Sequence, residues 1–235
     1  MSGRKVVVTG GGTGIGLATA RLAVARGASV VLMGRTEATL KEAVEELGDA
    51  ASYEVLDVTD GDAVEGAFAS VGAFDHLVTC AAGSLAGPFA ELAESDVRDF
   101  FETKFWGQYR SVKAALPRLA RDGSVVLLSG FLYRKAEPGL SPFAAVNGAI
   151  EGLVKALAIE AAPVRVNALA PGQIDTLGGG EPMDEATHQA YVDSVAAGLP
   201  LGRIGTAEEA AHAALFLVEN TFTTGITLDV DGGKR

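Results

Sequence analysis

Gly10, Gly14 and Gly16 follow a short apolar run, Lys5–Val8, and lead directly into Leu17–Ala23. The run is rich in β-branched residues, which predicts a buried strand, and the stretch after the glycines predicts a helix. A strand, a glycine turn and a helix N-terminus together leave backbone N–H groups unpaired at the positive end of a helix dipole. That chemistry suits a phosphate. Glycine at these three places allows the tight turn, the close approach of backbone to a pyrophosphate, and the packing of helix on sheet. Gly12, Thr13 and Ile15 complete the candidate contact. The alternative is a glycine-rich loop that holds no ligand.

A second chemical signal is Arg35, just after the apolar run Ser29–Met33 and Gly34. In a dinucleotide-binding fold the end of this strand meets the adenosine ribose. An acidic residue there accepts from a 2′-hydroxyl, whereas arginine suits a 2′-phosphate. NADP(H) is therefore expected in preference to NAD(H), the alternative being a solvated surface charge. Asp57 and Val58 end a third strand (Ser52–Leu56), where ligands bind in this architecture. Cys80, Ala81 and Ala82 follow a fourth (His76–Thr79), and their small size lets backbone approach a cofactor.

The elements that must hold these residues alternate along the chain. Helices are expected over Glu37–Leu47, Ala63–Val71, Asp96–Leu119, Phe143–Ala162 and Ala207–Val218. Further strands are expected at Ser124–Leu128, Arg165–Leu169 and Thr227–Val230. This alternation predicts an α/β fold, a doubly wound parallel sheet in a single domain. Residues 177–199, with a helix over Met183–Ala197, are expected to form a mobile substrate lid. The aromatics of 96–119 and the apolar 143–162 segment point to core or to an interface with another subunit.

Composition sets the limits. At 235 residues and 48% hydrophobic, the chain can build a substantial core. A net charge of −11 argues against nucleic acid or an anionic membrane as partner. One cysteine excludes an internal disulfide and suits a reducing compartment; with no signal peptide and no membrane-spanning run expected, the location read is cytoplasmic. His76, His188 and His212 show no ligand spacing, so no metal is expected.

The whole chain resembles the short-chain dehydrogenase/reductase (SDR) family. The resemblance rests on Thr9–Gly16, Asp57-Val58, Asp75-His76-Leu77-Val78, Pro171-Gly172, Thr176, the stretch Leu201–Ala210 and Asp231-Gly232-Gly233. It implies a Rossmann-type subunit, a nicotinamide dinucleotide and usually a homotetramer or homodimer, and adds Pro171, Gly172, Ile174 and Thr176 to the cofactor site. It also implies a tyrosine acid/base, a lysine four residues later, a serine that holds the substrate oxygen, and an asparagine on an earlier helix. At those positions this chain carries Phe143, Asn147, Gly130 (with Ser129 just before it) and Lys104.

A phenylalanine transfers no proton, and losing a positioned acid typically costs about 10²- to 10⁴-fold in rate. The family's lysine and asparagine have in effect exchanged helices, as Lys104 and Asn147. Lys104 is expected to face the nicotinamide ribose region and restore the positive charge; the alternative is a snorkelling lysine paired with Glu102 or Asp99. The candidate catalytic residues are thus Lys104, Ser129, Tyr133 and Asn147, with Asn147 also a cofactor contact. Phe131, Leu140, Phe143 and Leu177 hint at a small nonpolar substrate. Two functions follow: an NADP(H)-linked oxidoreductase with a rearranged active site, acting on a carbonyl, alcohol or activated alkene; or a catalytically silent nucleotide sensor or scaffold on the same fold.

Overall fold

The computed structural model describes residues 1–176 and 184–234. Seven parallel strands form one sheet: β1 (Lys5–Thr9), β2 (Ser29–Gly34), β3 (Ala51–Val55), β4 (Phe74–Thr79), β5 (Leu119–Leu128), β6 (Arg165–Pro171) and, after a separate short pair, β9 (Thr227–Val230). Their order is β3-β2-β1-β4-β5-β6-β9. Val6, Val7 and Val8 have no exposed surface, as a strand covered on both faces requires. The chain winds outward from β1 in one direction, then returns to β4 and winds out in the other. The carboxyl ends of β1 and β4, paired at Thr9 and Thr79, therefore flank the switch point where such sheets bind ligands.

Helices cover both faces. On one lie α1 (Gly14–Ala25), α2 (Glu37–Leu47) and α8 (Ala207–Glu219), packed through Ala20, Leu40, Ala214 and Leu217. On the other lie α3 (Gly61–Val71), α4 (Glu94–Phe101), α5 (Gly107–Ala115) and α6 (Ser141–Glu160), packed through Phe68, Phe100, Val112, Val146, Ile150 and Val154. Asp60 caps α3 by accepting from the N–H groups of Asp62 and Ala63, each at 3.0 Å. Thr206 and Glu209 make a reciprocal capping box on α8.

The structure departs from the sequence reading in three places. The helix expected over 96–119 is not continuous. A π-helical segment, Glu102–Trp106, separates α4 from α5, and α5 ends at Ala115 because Pro117 lacks an N–H; Leu119 already belongs to β5. Two short strands, β7 (Ile174–Asp175) and β8 (Gly205–Thr206), pair outside the main sheet. Finally, α6 has the length and apolar composition of a membrane span, which the sequence reading did not expect, yet it packs on the sheet through Val146, Ile150 and Val154. Among the described residues no other helix has that length and composition.

Candidate active site

The glycine turn is dictated by contacts as well as by backbone conformation. Gly10 has φ +67°, and a Cβ on it would stand 2.6 Å from the Ala81 nitrogen after β4. A Cβ on Gly16 would stand 2.1 Å from the Gly10 carbonyl oxygen, so α1 meets the turn at a distance that only glycine permits. Thr13 precedes α1 in extended conformation without capping it, and no acidic residue occupies the first turn. The first N–H groups of this helix thus have no side-chain acceptor, an arrangement that suits an anion.

A cleft of about 630 Å³ opens at the carboxyl ends of β1, β2 and β4. Its lining includes Gly10, Gly12, Thr13, Gly14, Ile15, Gly16, Arg35, Asp57, Val58, Cys80, Ala81, Ala82 and Thr176, all singled out from the sequence. Thr36, Thr39, Leu40, Thr103 and Leu128 also line it and were not anticipated. Asp57 accepts from the Thr59 N–H at 2.9 Å and from the Thr59 hydroxyl at 2.8 Å. The Thr59 N–H, then its hydroxyl and the Arg35 charge, hold this carboxyl below its ordinary range against the opposing effect of burial.

Four predicted contacts are not part of this lining. Pro171 pairs with Val230, and the Gly172 N–H donates to the Val230 carbonyl at 2.8 Å. Ile174 turns its Cδ1 onto Gly205 and lines a separate small cavity with Leu199. Asn147, 1% exposed, stands on α6 with its carboxamide beside Gly130.

Leu128 of β5 and Thr103 of the π-helical segment line the cleft, and Lys104 stands next to Thr103 without joining that lining. Lys104, in the middle of the π-helical segment, is 4% exposed. Its Nζ donates to the carbonyls of Ser129 at 3.2 Å and Leu128 at 3.5 Å. It makes no ion pair among the described residues; Glu102 pairs with Arg110. The alternative of a surface lysine tied to Glu102 or Asp99 is therefore set aside. Burial lowers the Lys104 ammonium to about 8, and burial around the Cys80 sulfur pushes that thiol up to about 12, with Lys104 opposing the shift.

Gln108, one turn beyond Lys104 and not foreseen, locks this corner. Its Nε2 donates to the Lys104 carbonyl at 2.7 Å and to the Leu128 carbonyl at 3.1 Å. Its Oε1 accepts from the Leu128 N–H at 2.9 Å and from the Thr79 hydroxyl at 2.5 Å. The available signal was a polar residue four positions after Lys104 on an otherwise apolar helix face.

The remaining candidates are placed as follows. Ser129 is 2% exposed, and its hydroxyl donates to the Asn147 carbonyl at 3.3 Å. Gly130 follows in extended conformation. The Tyr133 hydroxyl is buried and has no hydrogen-bond partner among the described residues, and the Arg134 guanidinium lies 4.7 Å from the ring centre. Phe143 packs edge-on against Phe100 with ring centres 4.7 Å apart, and Phe131 is buried beneath Lys234. Leu177 and the first part of the expected lid, 177–183, lie outside the described residues. The helix α7 (Glu185–Ala196) is tied to the strand leading to Thr176: His188 Nε2 lies 3.2 Å from Asp175 Oδ1, and the Tyr191 hydroxyl donates to Gln173 at 3.0 Å.

Fold and cleft define a Rossmann-type α/β protein with a phosphate-ready turn at its switch point. The family described as enoyl-(acyl carrier protein) reductase matches residues 10–235. Among curated proteins, the 3-oxoacyl-(acyl-carrier-protein) reductase FabG of Chlamydia muridarum is 33% identical, over 98% of this chain and 96% of its own length. The L-xylulose reductase of Homo sapiens is 34% identical over 99% and 97%. A solved small-chain dehydrogenase in complex with NADPH superposes with a TM-score of 0.82 at 33% identity, covering 98% of both chains. The chain belongs to the short-chain dehydrogenase/reductase family.

Proposed function

We propose that this protein is an NADP(H)-dependent oxidoreductase acting on a small, nonpolar carbonyl or activated alkene through a rearranged active site. The observation that carries the reading is the cleft itself, where an uncapped α1 start, the close approach at Gly10 and the cationic Arg35 share one wall. These residues fit a dinucleotide carrying a 2′-phosphate: the α1 N–H groups for the pyrophosphate, Arg35 for the 2′-phosphate, Asp57 and Val58 for the adenine end. The solved relative in complex with NADPH supports the same choice. Bound nicotinamide supplies the hydride.

The chain's own residues then handle charge. As a carbonyl accepts hydride, negative charge grows on its oxygen, and a fixed positive charge in a water-poor site lowers that barrier. Lys104 supplies such a charge, held on the Leu128 and Ser129 carbonyls and paired with no carboxylate among the described residues. Asn147 and Ser129 position the segment after β5 against α6, and α7 closes over Thr176 as the lid. The exposed rings of Trp106, edge-on to Phe105, and of Tyr109, stacked with it, extend an apolar face by which α4, α5 and α6 pair with another copy.

The test is a fluorescence titration of the purified protein with NADPH and NADH, followed by a panel of aldehydes, ketones and enones monitored by cofactor oxidation. Tighter NADPH binding and saturable turnover of at least one substrate are expected. Tight binding without turnover across the panel overturns the enzymatic reading in favour of a silent nucleotide-binding protein.

A further inference from the structure

Four buried side-chain polar atoms among the described residues lack a hydrogen-bond partner. Three of them, Tyr133 Oη, Asn147 Oδ1 and Glu151 Oε1, belong to one seam. Phe143, Asn147 and Glu151 are spaced four residues apart on α6 and so form one stripe along it. The short helical turn Phe131–Tyr133 packs against the same helix. Asn147 is 1% and Glu151 5% exposed. Buried polar groups without protein partners are normally satisfied by ordered water, and three of them on two packed elements outline a polar seam in an otherwise apolar layer.

The far end of the seam reaches solvent. Arg134, whose side chain is 50% exposed, lies over the Tyr133 ring. Its guanidinium stands 3.9 Å from Glu151 Oε2 and pairs with Asp229 on β9. Burial raises the Glu151 carboxyl above its ordinary value, and Asp229 adds to that shift. The Thr227 hydroxyl, Arg134 and Lys155 act against it. Asp229 is likewise raised, by burial and by Asp231, against Arg134. Glu151 therefore carries a proton more readily than a surface glutamate.

We propose that this seam is a hydrated proton relay, in which water bridging Glu151, Tyr133 and Asn147 delivers a solvent proton to the substrate oxygen. The inference rests on the reductase reading and supplies what Phe143 cannot. The hydride brings an electron pair to the carbonyl carbon, and the C=O π pair moves to oxygen. That oxygen takes a proton from a water oriented by Asn147 Oδ1. This water is reprotonated through the Tyr133 hydroxyl or a second water from the Glu151 carboxyl, and Glu151 recovers its proton from solvent beside Arg134. One carbonyl, one hydride and one solvent proton give one alcohol.

Infrared difference spectroscopy of the protein without added nucleotide tests the path independently of turnover. A carboxyl band that titrates above the usual carboxylate range, shifts promptly in D2O and disappears in Glu151→Gln is expected. Absence of that band, or deuterium exchange taking hours, overturns the relay. With a substrate in hand, Glu151→Gln should lower kcat roughly a hundredfold, the scale of a lost positioned proton transfer. It should enlarge the solvent isotope effect and leave the NADPH Kd unchanged, and Glu151→Asp should recover part of the rate. Tyr133→Phe should lower kcat and alter its pH profile. An unchanged kcat in Glu151→Gln overturns the proposal. A protein that reduces no carbonyl refutes the reductase reading, while the infrared result still decides whether the seam conducts protons.

Discussion

Asn147 Nδ2 lies 2.7 Å from where a Cβ on Gly130 would stand. Gly130 has φ 166°, an extended conformation open to any residue, so it is space and not backbone strain that excludes a side chain. The carboxamide of Asn147 fills the volume that a residue-130 side chain would need. The glycine after β5 and the asparagine on α6 are therefore one steric unit.

Gly130→Ser should lower stability by about 1–3 kcal/mol, the usual range for overpacking a closed site. Asn147→Ala should relieve part of that cost, giving a coupling of about 0.5 kcal/mol or more in a double-mutant cycle. Urea unfolding of the four proteins measures it. Strict additivity would show that the two positions are independent.

Arg35→Asp should reverse the nucleotide preference. It removes a charge-assisted partner of a 2′-phosphate and introduces an acceptor for a 2′-hydroxyl. NADPH affinity should fall at least about tenfold, the scale of one lost hydrogen bond to a charged group, while NADH affinity holds or improves. Parallel titrations decide it, and an unchanged ratio would place the 2′ position elsewhere.

Lys104 should shape the alkaline limb of stability. Burial lowers its ammonium from the ordinary 10.5 to about 8 in the folded state. Between those values the unfolded chain binds more protons, so stability rises with pH as the folded state sheds its buried charge. The rise should approach roughly 3 kcal/mol in wild type and be absent from Lys104→Met. The Cys80 thiol, raised to about 12, acts in the opposite direction above its ordinary value, so the difference between the two proteins isolates Lys104. Coincident profiles from denaturant titrations at pH 7 to 10.5 would remove the assignment.

The parts legible in the sequence were those governed by neighbours along the chain. Gly10 and Gly16 announced the turn because only glycine tolerates a positive φ in one case and a carbonyl at contact distance in the other. Arg35, Asp57 and Cys80 joined the same cleft because each follows the end of a parallel strand, and parallel strands align their carboxyl ends. Ile174 did not, since its strand leaves the main sheet to pair with Gly205.

By itself, then, the sequence determined the α/β alternation and the phosphate-ready turn, and it singled out Lys104, Ser129, Tyr133 and Asn147 as candidates. The tertiary structure decided what those residues touch. The π-helical segment buries Lys104 against two β5 carbonyls, Gln108 closes the corner, and Asn147 occupies the space beside Gly130. Tyr133 and Glu151 come to share a seam only because the turn after β5 packs onto α6. Strand and helix periodicity is a property of adjacent residues. The direction of a buried ammonium, or the pairing of orphaned polar atoms, depends on elements that meet only when the sheet closes its layers.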